Sequence, residues 1–254
     1  SRAGAKISPK VRLDQLLVDR RMADSREKAQ ALIRAGLVVA GEGRIDKPGT
    51  RVAADIPLRL KGGGCLYVSR GGTKLAGALE KFGLTDLTGK IALDVGVSTG
   101  GFTDCLLQHG AARVWGVDTG RGQMHDKLRR DPRVRLRENA NARELVPEWF
   151  EGEQADLIAI DVSFISLRLI LPPLAGVLAE GGIVVALIKP QFEAGPADVG
   201  RGGIVRDPAV HRRVLYEILA AARSGGWRAL DLCVSPLPGS EGNIEFFLRL
   251  ERSN

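Results

Sequence analysis

Cysteine is scarce in this chain: Cys65, Cys105 and Cys233 are the only three in 254 residues. An odd number, widely separated and without a CxxC pair, supports neither a disulfide framework nor a zinc site. Reduced thiols in a cytoplasmic protein are the expectation. Histidine is as rare, and His109, His125 and His211 lack ligand spacing, so no metal is expected. Long apolar runs are missing too. The longest purely aliphatic one, residues 183–188, is far too short to span a bilayer. The basic opening SRAGAKISPKVRLDQ leads into no apolar stretch and does not read as a signal peptide. Membrane insertion by hydrophobicity is therefore not expected, and neither repeats nor low-complexity segments are present.

What the chain does have is a 44% apolar, 26% charged composition, enough for a sizeable core. Lys and Arg outnumber Asp and Glu by 37 to 30, a net charge of +7 with a pI near 9.6. That total alone is weak evidence for a polyanionic partner. Its distribution says more. Residues 1–74 hold 16 basic and 7 acidic residues, a net of +9, whereas residues 75–254 hold 21 and 23, a net of −2. A nucleic-acid grip joined to a near-neutral enzyme body shows this asymmetry, and a solvated basic face is the competing reading.

Residues 11–60 read as a small α/β unit. Leu13, Leu16 and Leu17 share a helical face. A second helix begins near Asp24–Ser25, with Ser25 as its cap, Ala29, Leu32 and Ile33 as its buried stripe and Gly36 as its stop. Short β segments follow at 37–39 and 52–60, the first closed by a turn at 41–43. Residues 61–72, KGGGCLYVSRGG, read as a linker, and residues 73–254 as a second domain in which helices alternate with strands. Strands are expected at 91–95, 113–117, 134–137, 157–160, 183–188, 229–235 and 244–250. Helices are expected at 73–82, 99–109, 167–179 and 210–223. This alternation predicts an α/β fold with a mostly parallel, doubly wound, Rossmann-like sheet.

The first apolar strand ends in the turn D-V-G-V-S-T-G-G, residues 94–101. Gly96 would permit the sharp turn, and Gly100 a close backbone approach to a ligand. The next strand ends in G-V-D, which places Asp118 where a ribose would lie. A dinucleotide site uses the same logic, but its fingerprint is G-x-G-x-x-G. The wider glycine spacing here, and the carboxylate of Asp94 ahead of the first glycine, suit the ammonium end of S-adenosylmethionine better than a diphosphate.

Four charged residues stand at the ends of apolar segments. Asp161 closes one strand as I-D-V-S-F-I-S, Lys189 closes another as A-L-I-K-P-Q-F, Glu245 sits in G-N-I-E-F-F, and Lys74 opens the first helix after the linker. Strand carboxyl ends face the ligand crevice of an open α/β sheet, and buried charges must be paired. Ordinary surface ion pairs would account for Lys74 or Glu245 alone, but poorly for Asp161 and Lys189.

Taken in order, S-R-G-G-T-K-L, L-D-V-G-V-S-T-G-G-F-T-D, I-D-V-S-F-I-S-L, L-I-K-P-Q-F-E and S-P-L-P-G-S-E-G-N-I-E-F-F resemble the TlyA family, often labelled haemolysin A. This family belongs to the FtsJ-like RNA 2′-O-methyltransferases. R-L-D-Q-L-L-V, S-R-E-K-A-Q-A-L-I-R-A-G and D-K-P-G resemble the S4-type RNA-binding domain that precedes its catalytic domain. The resemblance implies S-adenosylmethionine-dependent methylation of ribose, on cytidine, in ribosomal RNA or ribosomal subunits. It implies that Lys74, Asp161, Lys189 and Glu245 form a catalytic tetrad. Lys189 would meet the developing alkoxide, Asp161 would orient Lys189 and the methyl donor, and Lys74 and Glu245 would hold the ribose. Whether Lys189 acts charged or neutral stays open. Asp94, Gly96, Ser98, Thr99, Gly100, Asp118 and Asn141 would line the cofactor site, with Asn139 a nearby competitor for the last position. Arg12, Arg26, Lys28, Arg34, Lys47 and Arg51 are candidates for phosphate contacts, each weighed against a plain solvated charge. The family label raises a membrane-acting haemolysin as the alternative function, and an RNA-binding protein without catalysis as another.

Overall fold

The computed structural model describes residues 9–20, 22–23, 25–41, 43–60 and 67–253. It divides into two compact units, residues 1–66 and 67–254. The cysteines described, Cys105 and Cys233, are free thiols. Cys65, the first half of the expected linker (61–66), Asp24 and the first eight residues lie outside the described residues.

The first unit comprises β1 (Lys10–Arg12), α1 (Leu13–Asp19), α2 (Arg26–Arg34), β2 (Val38–Ala40), β3 (Gly43–Arg44), β4 (Arg51–Ala53) and β5 (Leu58–Leu60). Leu13, Leu16 and Leu17 of α1 pack with Ala29 and Ile33 of α2 into one core, and Val38 and Val52 close it from the strands. The Ser25 hydroxyl accepts the Lys28 N–H at 3.2 Å, capping α2, and Gly36, at φ +65°, ends it. The segment expected as one strand over 52–60 is two, β4 and β5. β4 pairs with β1, and β5 pairs with β2 in a three-stranded antiparallel sheet β3-β2-β5. Pro57, which has no amide hydrogen, lies in the break between them.

The second unit runs α3 (Arg70–Lys81), β6 (Ile91–Val95), α4 (Gly101–Gln108), β7 (Arg113–Val117), α5 (Asp126–Arg129), β8 (Val134–Arg137), β9 (Ala155–Ile160), α6 (Leu167–Leu174), β10 (Leu178–Ile188), α7 (Pro190–Glu193), α8 (Pro208–Ser224), β11 (Trp227–Val234) and β12 (Phe246–Arg252). Its seven strands lie in the order β11-β12-β10-β9-β6-β7-β8. The five from β8 to β10 are parallel, and β12 runs antiparallel between β10 and β11. One face buries an apolar layer built with α6 and α8, the other a layer built with α3 and α4. Strands covered on both faces read as near-continuous apolar runs, which is why those at 91–95 and 113–117 are legible to the residue, whereas 134–137 is legible as the alternation of an edge strand, with Val134 buried and Arg135 and Arg137 exposed.

Several boundaries differ from expectation, among them those of α3, α6 and β12. α3 begins at Arg70, so Arg70, Gly71 and Gly72 belong to its first turn and not to a linker, and Lys74 lies one turn inside the helix. α6 stops at Leu174, not 179, and its last turn carries Pro172 and Pro173, whose missing amide hydrogens cost it two helical hydrogen bonds. β12 starts at Phe246, leaving Ile244 and Glu245 in the preceding loop.

The topology decides where chemistry can sit. β6 pairs with β7 on one side and with β9 on the other, so the chain direction of the winding reverses there. Loops leaving the carboxyl ends of β6, β7, β9 and β10 open at that reversal, where open α/β sheets bind ligands.

Candidate active site

The turn after β6 is built on Gly96, whose φ of +89° is a conformation that glycine adopts freely. The register pairs Val95 with Ile160, so Gly96 lies against the strand end that carries Asp161, and a Cβ there would collide with the Asp161 carbonyl oxygen. Gly100, at φ +95°, caps α4. A Cβ there would collide with the Leu128 side chain, and Gly100 itself lines neither of the two cavities around this turn. Ser98 also holds a left-handed conformation, at φ +50°. Its N–H donates to Asp118 Oδ2 at 2.7 Å, while the Gly120 N–H donates to Oδ1 at 2.6 Å. Ser98, Asp118 and Asn141 line a cavity of about 430 Å³ together with Gly96 and Asp161. Asn139 is exposed and is not part of that wall.

Asp94 does not stand on the wall of this cavity. It is fully buried at the end of β6, where Oδ2 accepts the Thr103 hydroxyl at 2.6 Å and Oδ1 has no hydrogen-bond partner. Burial pushes its carboxyl up to about 7, against the Thr103 hydrogen bond, and the negative charges of Asp161 and Asp118 push the same way. A buried carboxylate oxygen without a partner, beside a glycine turn, is a group that a ligand ammonium would satisfy.

A second cavity, of about 770 Å³, shares Gly96, Ser98 and Asp161 with the first and adds Thr99, Lys74, Lys189 and Glu245. The four charged residues stand there as two couples. Lys189 Nζ lies 2.6 Å from Asp161 Oδ1 and donates to Ser163 Oγ at 3.0 Å. Lys74 Nζ donates to Glu245 Oε2 at 2.6 Å, with both side chains buried. Each placement follows from the sheet. Lys189 and Asp161 follow the carboxyl ends of the neighbouring parallel strands β10 and β9. Antiparallel β12 pairs Phe246 with Ile188, which brings Glu245 to the same end of the sheet although it precedes its strand. α3, packed on α4, delivers Lys74 from the opposite layer.

Several lining residues escaped sequence reasoning. Gln191 donates to Glu245 Oε1 at 3.4 Å. Phe164 is 89% exposed at φ +62°, lines both cavities and packs its ring 4.7 Å from that of Phe192. Buried Asn243 accepts the Val205 N–H at 2.9 Å and donates to the Gly203 oxygen at 2.9 Å. It thereby ties one wall of the larger cavity to the loop that carries Glu245. The motifs I-D-V-S-F-I-S and G-N-I-E-F-F contain two of these residues, Phe164 and Asn243, but nothing in the spacing signals a left-handed Phe164 or the reach of Asn243.

In the first unit, the candidate phosphate ligands fall into two groups. Arg12 and Arg26 converge on the buried carboxylate of Asp14, at 2.9 and 3.2 Å, and Gln30 joins them at 3.0 Å. Their charge assistance holds the Asp14 carboxyl far below the usual carboxylate range. Half of each arginine side chain stays exposed, so their first task is to knit β1, α1 and α2 together. Arg34 donates to Gln30 at 3.2 Å, and Lys28, Arg34, Lys47 and Arg51 are exposed.

The strand order, the glycine turn at its reversal point and the two lysine–carboxylate couples define a Rossmann-like methyltransferase behind a small α/β domain. The FtsJ-like methyltransferase family model matches residues 67–252, and the S4 domain model matches residues 11–55. The 16S/23S rRNA (cytidine-2′-O)-methyltransferase TlyA of Mycobacterium tuberculosis is 44% identical over 247 residues, covering 95% of this chain and 90% of that protein. Hemolysin A of Brachyspira hyodysenteriae is 38% identical, covering 93% and 98%. A solved structure from Streptococcus thermophilus, described as a hemolysin, superposes with a TM-score of 0.74 at 46% identity, covering 97% and 90%. The chain belongs to the TlyA family of FtsJ-like methyltransferases.

Proposed function

We propose that this chain 2′-O-methylates ribose, at a cytidine of ribosomal RNA, with S-adenosylmethionine as donor. The observation that carries the reading is the pair of lysine–carboxylate couples facing one cavity, directly adjoining the cavity under the glycine turn. The residues present fit the donor: Ser98, Asp118 and Asn141 supply polar groups along the wall of the smaller cavity, and Asp94, buried behind the glycine turn that lines it, holds a carboxylate oxygen without a partner. When bound, S-adenosylmethionine supplies an electrophilic methyl group.

A ribose hydroxyl is a poor nucleophile, so the protein must stabilise charge that develops on its oxygen. Lys189 Nζ, fixed by Asp161 Oδ1 and Ser163 Oγ, is the cation placed for that. Asp161 also stands on the wall common to both cavities, so it can orient Lys189 toward the donor side. Lys74 and Glu245 hold each other by a 2.6 Å hydrogen bond on the wall of the larger cavity and present paired hydrogen-bonding groups to the target ribose. Positioning of acceptor oxygen and methyl carbon contributes much of the remaining acceleration. Basic residues of the first unit, among them Arg12, Arg26, Lys28, Arg34, Lys47 and Arg51, contact RNA phosphates and set position without reading bases.

The membrane-acting alternative is not favoured. Among the described residues, no helix is long and apolar enough to cross a bilayer, and the relative named TlyA carries an rRNA methyltransferase name at 44% identity. The deciding experiment incubates purified protein with methyl-labelled S-adenosylmethionine and ribosomal subunits or protein-free rRNA, then maps the 2′-O-methyl positions. Transfer that Lys189→Ala abolishes is the expected result. Wild-type protein that transfers nothing to any of these substrates overturns the proposal.

A further inference from the structure

Charge within residues 75–254 is unevenly spread. Residues 121–137 hold seven Lys and Arg against two acidic residues, a net of +5, while the remainder of that stretch holds fourteen and twenty-one, a net of −7. All seven basic side chains are exposed. They come from the loop after β7, from α5 and from β8, the last strand on one edge of the sheet. Arg133, Arg135 and Arg137 alternate with Val134 and Leu136, so they project from one side of the edge at steps of roughly 6.7 Å.

Local carboxylates do not neutralise the cluster. Arg129 pairs with Glu138 at 2.7 Å, Arg133 with Asp131 at 2.8 Å and Lys127 with Asp104 at 3.4 Å, while Arg130 is only loosely paired with Asp126, at 3.9 Å. Among the described residues, Arg121, Arg135 and Arg137 make no ion pair with a carboxylate. The Arg137 guanidinium instead lies 4.6 Å from the centre of the Trp149 ring, in cation–π contact with it.

Sheet edges commonly carry charge to block pairing with other chains. That purpose is served by either sign, and like charges side by side repel. The opposite edge shows the contrast: β11 carries Arg228 and Asp231, with Leu230, Leu232 and Val234 exposed between and beyond them. Same-sign crowding on β8 and α5 needs a different reason, and an external polyanion supplies one.

Position adds to this. Arg137 is paired in register with Val117, one residue before Asp118, and the Gly122 N–H donates to Glu138 Oε1 at 2.6 Å, which fastens the loop bearing Arg121 to the end of β8. The cluster therefore reaches the rim of the smaller cavity, next to Gly120 and Gln123.

We infer that this face, carrying Arg121, Lys127, Arg129, Arg130, Arg135 and Arg137, is an RNA-backbone contact belonging to the methyltransferase unit itself. It rests on the reading of RNA as substrate and names where, beyond the first unit, the substrate's phosphates are held. Such contacts are sequence-independent and strongly salt-dependent.

The test compares wild type with the triple variant Arg121→Gln, Arg130→Gln, Arg135→Gln and with the charge-preserving triple to Lys. Binding of a protein-free rRNA transcript is followed between about 50 and 200 mM salt. The Gln variant should bind about tenfold more weakly, with the slope of log affinity against log salt reduced by about 2 to 3. The Lys variant should keep the wild-type slope. Affinity for S-adenosylmethionine should be unchanged, and the loss should appear in KM for RNA. If the triple variant misfolds, Arg121→Gln and Arg130→Gln singly should each lower the slope by about 0.7 to 0.9. Unchanged slopes overturn the inference. So does a loss seen with intact ribosomal subunits but not with naked RNA, which would assign the face to an acidic protein partner. Cofactor affinity falling in step with RNA affinity overturns it as well. Wild-type protein that binds RNA with this slope but methylates none of it would sink the proposed activity and leave the surface standing.

Discussion

Asp94→Asn isolates the physical demand made by the glycine turn. In the unfolded chain this carboxyl gives up its proton near the ordinary value of 3.8, whereas in the fold it keeps the proton to about 7. Between those values the folded chain binds more protons than the unfolded chain, so stability falls as pH rises, and the loss is complete above about 7. The full loss from this one buried group is on the order of 4 kcal/mol, of which about 3 kcal/mol develops between pH 5 and pH 8. Asn has nearly the same shape and no titration. Its cost, an amide group with an imperfect partner where Oδ1 stood, is about 1–3 kcal/mol and independent of pH. Urea denaturation of the ligand-free proteins at pH 5 and pH 8 should therefore show the stability difference shifting by about 3 kcal/mol in favour of Asn at the higher pH. On the proposed role of Asp94 as partner of the donor's ammonium, calorimetric titration of wild type with S-adenosylmethionine should show affinity rising with pH up to about 7, as its carboxylate forms, and Asp94→Asn should bind weakly at every pH. Two stability profiles that stay parallel from pH 5 to pH 8 would refute the reasoning.

Further outcomes follow from the same geometry. Lys74→Met strips the buried Glu245 carboxylate of its cation and should destabilise the fold by about 3–5 kcal/mol, whereas Lys74→Met with Glu245→Leu should recover much of that loss in a denaturation series. Gly100→Ala should cost about 1–3 kcal/mol through its positive φ and its collision with Leu128; Gly100→Ala with Leu128→Ala should relieve the collision and keep the backbone strain. Asn243→Ala removes both hydrogen bonds to the 203–205 loop and should lower the urea midpoint by the equivalent of about 2 kcal/mol, and it should raise KM for RNA more than it lowers affinity for S-adenosylmethionine. A Gly100→Ala protein as stable as wild type would show that the turn relaxes around a side chain.

Much of this protein is decided locally and was therefore legible. The segments 91–95 and 113–117 are strands covered on both faces and read as largely apolar runs, and 134–137 shows the alternation of an edge strand. Ser25 and Gly36 bound α2 by donor satisfaction and by a positive φ, both properties of single residues. The excess of positive charge in residues 1–74 is likewise a matter of composition. Partner choice lies beyond any such reading. Whether Lys74 meets Glu245, 171 residues away, or Asp161 depends on an antiparallel strand entering beside β10. Arg12 and Arg26 look like free cations in a basic segment, and folding turns both onto the buried Asp14. Gly100 is one more glycine in a turn until Leu128 arrives over it, and the basic edge is diluted in a near-neutral total until β8 gathers it on one side. Periodicity and spacing report which face of a segment leaves water; only the packed chain determines what that face, or a charge at its end, is placed against.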